Sequence, residues 1–123
     1  MVLPRFTVVD VETSGLSDRR HRILQIGAVV VEADGTEIDR WSTLVKLRWP
    51  FQRVGPTDIH GITRPMLRHA PPLAAALDEL GARLDGALFT AHNASCDAGF
   101  IVRAARRQAG FDLGPRLCTL RMS

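Results

Sequence analysis

Residues 6–15 read Phe-Thr-Val-Val-Asp-Val-Glu-Thr-Ser-Gly, and the rest of the chain is organised around them. Its β-branched and aromatic residues, closed by Gly15, predict a β-strand. Strand side chains alternate, so one face carries Phe6, Val8, Asp10 and Glu12 and the other carries Thr7, Val9 and Val11. Two carboxylates therefore end an otherwise apolar face.

The carboxylates of Asp10 and Glu12 have a spacing that suits a metal ion. Their Cβ atoms are expected to lie roughly 6.5–7 Å apart, so both carboxylates can converge on one cation. Without a cation, two acids on a half-buried face repel each other. Mg²⁺ or Mn²⁺ removes that repulsion and prefers oxygen ligands. The alternative is a solvated strand end whose acids only mark a turn.

Composition predicts one ordinary globular domain over residues 1–123, with 46% hydrophobic and 24% charged residues. Of the 16 basic residues 15 are Arg, the better bidentate partner for phosphate, which favours an anionic ligand. Cys96 and Cys118 form no recognisable motif or disulfide framework. The sequence shows neither a signal peptide nor a run of membrane-spanning length, so a cytoplasmic location is expected.

Three strands are predicted in the first half of the chain. Residues 23–31 are nearly continuously apolar, which is typical of a strand buried on both faces. Residues 33–36 carry an Asp-Gly hairpin signal, and a more polar third strand is expected near a sheet edge over residues 37–46. Together these strands predict an antiparallel meander. Residues 49–56 are irregular and show no useful periodicity.

Helices and strands alternate in the second half. A short helix is expected after Thr63, with Pro65 in its first turn and Pro71-Pro72 beyond it. Pro72 opens a second helix, which Asp85-Gly86 ends. A strand over 87–91, a helix over about 94–108 capped by Asn93, and the start of a strand at 116–120 follow. The late strands are expected to run parallel to the first, which gives a mixed α/β sheet with flanking helices.

A third acid falls in the helix after Asn93. Asp97 shares one helical stripe with Phe100 and Ile101, so it is expected on the side that packs towards the sheet. It is then either a third oxygen ligand beside Asp10 and Glu12 or a first-turn charge that only stabilises the helix dipole.

Three motifs resemble the DEDD-type 3′→5′ exonucleases, including the proofreading epsilon subunit of bacterial DNA polymerase III. They are Asp-Val-Glu-Thr-Ser-Gly at 10–15, His-Gly-Ile-Thr at 60–63 and His-Asn-Ala-Ser-Cys-Asp-Ala-Gly-Phe-Ile at 92–101. The resemblance spans most of the chain. It implies a ribonuclease-H-like fold, a five-stranded mixed sheet with three antiparallel strands followed by parallel ones and with flanking helices.

The resemblance also implies a site and an activity. Asp10, Glu12 and Asp97 would be the catalytic acids and would hold two divalent ions, Mg²⁺ or Mn²⁺. The residues implied to bind the 3′-terminal nucleotide are Thr13, Ser14, Gly15, His60 and Asn93. The implied partners are the 3′ end of single-stranded DNA and a DNA polymerase subunit, with RNA left open as a substrate. Cys96 departs from the family, which usually has an aromatic residue there, and this is expected to alter packing more than chemistry.

The family's third motif, His-x-x-x-x-Asp, supplies a general base and a fourth acid. That pattern occurs here only at His92–Asp97, where the preceding strand and the following Phe100-Ile101 fit the second motif instead. The only later acid is Asp112. We therefore expect a nuclease domain that ends before the third motif, lacks the C-terminal part of the fold and is nearly inactive as it stands.

Two other functions stay open from the sequence. One is a non-catalytic domain of the same fold that binds single-stranded nucleic acid or a polymerase. The other is a structural α/β domain whose acids are ordinary surface charge. Neither the choice between DNA and RNA nor the oligomeric state follows from the residues.

Overall fold

The computed structural model describes residues 3–15, 22–47, 53–55, 57–91 and 101, with the backbone alone for residues 58, 59 and 91. The strands are β1 (Arg5–Thr13), β2 (Ile23–Val31), β3 (Glu37–Leu44) and β4 (Ala87–Ala91). The helices are α1 (Thr57–His60), a 3₁₀ helix (Arg64–Leu67) and α2 (Leu73–Leu84). Within these residues no helix is long and apolar enough to cross a membrane.

The four described strands form one mixed sheet in the order β3-β2-β1-β4. β2 pairs antiparallel with both β1 and β3, whereas β4 pairs parallel with β1. The predicted meander, the parallel late strand and the edge position of β3 in the described sheet are thus confirmed. The helix predicted at 94–108, apart from the buried helical residue Ile101, and the strand predicted at 116–120 lie outside the described residues.

The predicted hairpin between β2 and β3 forms around Gly35. The N–H of Gly35 donates to the Glu32 carbonyl at 2.9 Å, and the N–H of Glu32 donates to the Thr36 carbonyl at 2.9 Å. Gly35 has a φ of 92°, which an L side chain adopts with strain. Asp34 accepts the Thr36 N–H at 2.9 Å, and the hydrogen bonds from Thr36 lower the pKa of its carboxyl. The sequence therefore closes this hairpin with local interactions alone.

The main core lies on one face of the sheet, which we call the closed face. Val9 and Val11 of β1 and Phe89 of β4 are buried there against the apolar side of α2. The predicted spacing of α2 is confirmed, since its buried residues are Ala76, Leu77, Leu80 and Leu84. The apolar side of α2 thus packs on the apolar side chains that alternate along the strands. Apolar burial of this kind is the main contribution to the stability of a domain.

Polar groups also join α2 to the closed face. Thr7 is fully buried, and its hydroxyl donates to the Arg83 carbonyl at the end of α2. The Arg83 guanidinium lies 4.7 Å from the centre of the Trp41 ring and 2.9 Å from Glu79. Its Nε is 3.0 Å from Asp39, although without the geometry of a hydrogen bond. Arg83 therefore covers the rim of the core where α2 meets β3.

The opposite face of the sheet is less covered, and we call it the open face. β2 alternates strictly from Leu24 to Val31: its even-numbered residues are buried, whereas Gln25, Gly27, Val29 and Val31 are half-buried. The prediction that this strand is buried on both faces is therefore wrong for the described structure. The physical reason is that α2 packs on the closed face only.

A second, smaller core forms beside the C-terminal end of β1. Leu24, Ile62 and Leu67 are buried there, with Leu44, Leu47 and Val54 packed around them. The predicted short helix after Thr63 is a 3₁₀ helix with Pro65 in its first turn. Helix α1, one turn long, was not predicted. The 3₁₀ helix is held by this second core through Leu67, whereas α1 lies in the chain between two residues of that core, Val54 and Ile62.

Candidate active site

Asp10 and Glu12 lie on the open face, as the alternation predicts. Asp10 is exposed and Glu12 is half-buried. Both line a depression of about 380 Å³ on that face. Neither carboxylate makes an ion pair or a hydrogen bond with another described residue, so the acids are uncompensated in the part of the chain that the structure describes.

The floor of the depression is made by a glycine opposite Asp10. Gly27 pairs with Asp10 on one side and with Ser42 on the other. A Cβ at Gly27 would lie 3.8 Å from both the Asp10 carbonyl oxygen and the Ser42 Cβ, in ordinary contact and filling this space. Sequence reasoning passed over Gly27, although an isolated glycine within a strand is a signal for close approach by a backbone or ligand.

Among the described residues, the cation that lines this depression is already engaged by another acid. Arg40 lines the same depression from β3, two residues before Ser42. Its Nη2 lies 2.6 Å from Glu37, and this ion pair raises the pKa of Arg40. Arg40 therefore pairs along its own strand, which leaves the charge of Asp10 and Glu12 for an external cation.

A tight turn follows the two acids. The pairing register shifts between Glu12 and Thr13, and such bulges re-aim the side chains beside them. The Thr13 hydroxyl donates to the Gly15 carbonyl at 2.6 Å. Ser14 is paired with Arg22 twice, since its N–H donates to the Arg22 carbonyl at 2.9 Å and its Oγ accepts the Arg22 N–H at 3.0 Å. Three of the five residues predicted to bind the terminal nucleotide, Thr13, Ser14 and Gly15, thus form one hydrogen-bonded turn.

A distant segment is packed directly on this turn. Gly55 has a φ of 81°, and a Cβ there would lie 2.1 Å from the Ser14 carbonyl oxygen, which is an impossible distance. Only glycine therefore fits against Ser14. The prediction for residues 49–56 gave this glycine no role, although the Gly55-Pro56 dipeptide is a turn signal.

His60 fixes the same segment from the other side. Its Nε2 lies 2.7 Å from the Val54 carbonyl, and its Nδ1 accepts the N–H of Ile62 at 2.9 Å. Because Nδ1 accepts, this network assigns the proton to Nε2, which donates. The ring is half-buried with both nitrogens bound to the backbone. His60 therefore holds Val54, and with it Gly55, over the turn at Ser14.

Among the described residues no group of three His, Cys, Asp or Glu side chains is arranged to hold a metal ion. The third predicted ligand, Asp97, and the predicted nucleotide contact Asn93 lie outside the described residues. The described part of the site thus consists of Asp10, Glu12, the turn at 13–15 and the segment held by His60.

The sequence matches a known family. The sequence model of the RNase_T exonuclease family matches residues 7–123. The chain therefore belongs to this exonuclease family, as the three motifs predicted.

Two relatives share this stretch of sequence. The 3′-5′ exonuclease DinG of Bacillus subtilis is 38% identical over 112 residues, which cover 89% of this chain and 12% of DinG. A PolC-type DNA polymerase III of Thermotoga petrophila is 34% identical over 107 residues, which cover 87% of this chain and 8% of the polymerase. The chain thus spans only a small part of the length of either relative.

The fold is also that of a solved nuclease. The zinc-bound form of the E. coli exonuclease I complex with single-stranded DNA superimposes with a TM-score of 0.75 at 19% identity, covering 85% of this chain and 24% of that one. This likeness confirms the predicted ribonuclease-H-like α/β fold.

Proposed function

We propose that this domain hydrolyses phosphodiester bonds at the 3′ end of single-stranded DNA. The observation that carries the proposal is the uncompensated pair Asp10 and Glu12 beside the depression on the open face. Membership of the exonuclease family supports the reaction class. The likeness to DinG supports the 3′→5′ direction, and the exonuclease I complex supports single-stranded DNA as the substrate.

Divalent metal ions fit the donors present. Asp10 and Glu12 offer hard oxygen ligands with no described cation to neutralise them, which is the donor set that Mg²⁺ and Mn²⁺ prefer. We propose that these two residues, with Asp97, hold two such ions. When bound, the ions lower the pKa of an attacking water and stabilise the departing 3′-oxygen.

The chain's own residues then bind and orient the terminal nucleotide. We propose that the turn at Thr13, Ser14 and Gly15 lines the pocket for it, with Asn93 contributing from the second motif. Both ring nitrogens of His60 are bound to the backbone, so its part is to hold the segment 54–55 against Ser14 next to the nucleotide. A polymerase subunit is the proposed protein partner, supported by the PolC-type relative.

These 123 residues alone are expected to cut slowly. No His other than His92 has an Asp five residues on, so no general base of the third-motif type is present within them. Loss of a general base costs roughly 10²–10⁴-fold in rate. The alternative function is a non-catalytic domain that binds nucleic acid or a polymerase. The acids argue against it, since clustered negative charge facing phosphate weakens binding unless a metal ion is present.

The test is digestion of 5′-labelled single-stranded DNA with Mg²⁺ or Mn²⁺. The 123-residue chain is compared with a chain that includes any coding sequence downstream, each with Asp10→Ala. We expect a 3′-end ladder from the longer chain only, which Asp10→Ala abolishes. Asp78→Ala removes an exposed acid of α2, away from the depression, and serves as the matched control that leaves the ladder intact.

Two outcomes would contradict parts of this proposal. A ladder from the 123 residues with turnover comparable to the longer chain would refute the slow cutting. No ladder from either chain would favour the non-catalytic alternative.

A further inference from the structure

Seven of the eight described Lys and Arg residues fall into two groups, and the eighth, Arg22, has an interaction partner of its own. Three Arg side chains have acidic partners: Arg5 with Glu32 at 3.2 Å, Arg40 with Glu37 at 2.6 Å, and Arg83 with Glu79 at 2.9 Å. Four exposed cations make no ion pair or hydrogen bond with any described residue through their side chains, and we call them the basic surface: Lys46, Arg53, Arg64 and Arg68. The unpaired positive charge is therefore not spread evenly over the protein.

The basic surface belongs to one structural unit. Arg64 and Arg68 flank the buried Leu67 of the 3₁₀ helix, which packs in the second core. Lys46 follows β3, and its N–H donates to the Pro71 carbonyl at 2.9 Å, which ties the end of β3 to the segment after that helix. Arg53 precedes Val54, which packs on the same core. All four cations thus surround the second core.

This unit lies at the same end of the sheet as the carboxylates. Glu12 pairs with Gln25, and Gln25 pairs with Leu44, two residues before Lys46. Neighbouring strands are about 4.8 Å apart, so the backbone leaving β3 is roughly 10 Å from Glu12. On the other side, the close approach of Gly55 to Ser14 joins the unit to the turn after the acids.

The local sequence offers the basic surface almost no negative charge. Residues 43–77 contain five Lys and Arg residues and one acid, Asp58, whereas the whole chain has a net charge of +3. This segment therefore carries more positive charge than the chain as a whole. An excess of unpaired Arg at one end of a protein attracts a polyanion, and Arg in particular suits phosphate.

We propose that the basic surface binds the phosphate backbone of the single strand whose 3′ end lies at Asp10 and Glu12. The proposal rests on the function proposed above and adds the path of the strand away from the acids. The carboxylates repel phosphates unless metal ions are bound, whereas the basic surface attracts them without any metal. Binding of the strand and cutting of its end are therefore carried by separate residues, and a variant can remove one without the other.

The test measures the binding of 5′-labelled oligothymidylate in EDTA, so that nothing is cut, over a range of KCl concentrations. For single strands each phosphate contact contributes about 0.7 to the slope of log K against log salt. We expect Arg64→Gln and Arg68→Gln each to lower that slope by about 0.7 and the double variant by about 1.4, with weaker binding at low salt. Arg5→Gln changes the net charge equally at a paired cation of the opposite end of β1 and leaves the slope unchanged.

The controls separate this proposal from the nuclease function. Thermal unfolding midpoints of the variants are compared first, and a variant that fails to fold is replaced by Lys46→Gln, which removes charge after β3 instead. If Asp10→Ala stops digestion by the longer chain while the Arg variants bind with the wild-type slope, the basic surface proposal is overturned and the nuclease function stands. If the slope falls as expected but no chain cuts DNA, the nuclease function fails while the strand-binding surface remains. If Arg5→Gln and Arg64→Gln lower the slope of log K against log salt by the same amount, the effect comes from net charge alone, and the proposal is overturned.

Discussion

The two faces of the sheet use the same strands for different purposes. On the closed face, Val9 of β1 and Phe89 of β4 are fully buried against α2. On the open face, the neighbouring β1 residues Asp10 and Glu12 are exposed or half-buried and have no described partner. Adjacent residues of one strand thus differ completely in environment, because strand side chains alternate.

This difference shows how the domain separates stability from chemistry. Apolar burial on the closed face is the main source of folding free energy, at roughly 25 cal/mol per Å² of apolar surface. The uncompensated acids of the open face add repulsion instead, and such sites commonly reduce stability in exchange for activity. Three pairs of substitutions test this separation.

The largest effect is expected for Leu80→Ala in α2. Leu80 is fully buried in the main core, so its truncation should lower the free energy of unfolding by about 2–5 kcal/mol. Asp10→Ala on the open face should leave that free energy unchanged or raise it. Urea unfolding of both variants measures the contrast, with Leu3→Ala, at a side chain 62% exposed, as the control for loss of an apolar side chain. A destabilised Asp10→Ala variant would mean that the open face also holds the fold together.

A smaller effect is expected for Gly55→Ala at the end of the open face. Gly55 and Gly61 both have positive φ values, 81° and 71°, so alanine is strained at either position. Only at Gly55 does the new Cβ meet the Ser14 backbone, whereas at Gly61 nothing lies within 4 Å. We expect Gly55→Ala to cost about 1–3 kcal/mol more than Gly61→Ala, as overpacking does.

The same glycine pair has a functional readout. Because Gly55 packs on the turn at 13–15, Gly55→Ala should also weaken nucleotide binding at the site, measured by the Kd for the mononucleotide product with Mn²⁺. Gly61→Ala should not change that Kd. Equal effects of the two substitutions on both measurements would show that the segment does not position the turn.

The smallest effect compares two buried threonines. Thr7 is on the closed face, where its hydroxyl donates to the Arg83 carbonyl. Thr90 is in register with Val8, hence on the open-face side, and its buried hydroxyl has no hydrogen-bond partner among the described residues. Thr7→Val should cost about 0.5–1.5 kcal/mol, whereas Thr90→Val should be neutral or stabilising. Urea midpoints measured side by side decide this, and a costly Thr90→Val would mean that its hydroxyl is satisfied after all.

Most of the described secondary structure could be predicted from local patterns. Neighbouring residues alone predict three of its elements: β1 from its alternation, α2 from the spacing of its apolar residues, and the hairpin from Asp-Gly. The burial of β2 on both faces was mispredicted, because an apolar run does not reveal whether a layer packs on one side or two. Helix α1 was missed since one helical turn has too few residues to show a period.

The residues of the candidate site also fall into those that the sequence predicted and those whose roles only the fold reveals. Asp10 and Glu12 were predicted as a pair because residues two apart in a strand lie on the same face, so their spacing in the sequence gives their relative position. The roles of three other residues depend on contacts with distant parts of the chain. Gly27 lies between Asp10 and Ser42. Gly55 packs against Ser14, and His60 holds the neighbouring Val54 by a hydrogen bond. No window of sequence contains both partners of such a contact.

Local sequence patterns were enough to predict the strand that carries the acids, the face they share, the order of the described elements and the family of the chain. They were enough because side-chain alternation, helical period and motif spacing are properties of neighbouring residues. The packing of distant segments sets which face α2 covers and places Gly55 and His60 against the turn after Glu12. It also places the unpaired cations around one small core beside the acids. These features arise from packing between distant segments, where close approach and charge separation are set by the whole fold.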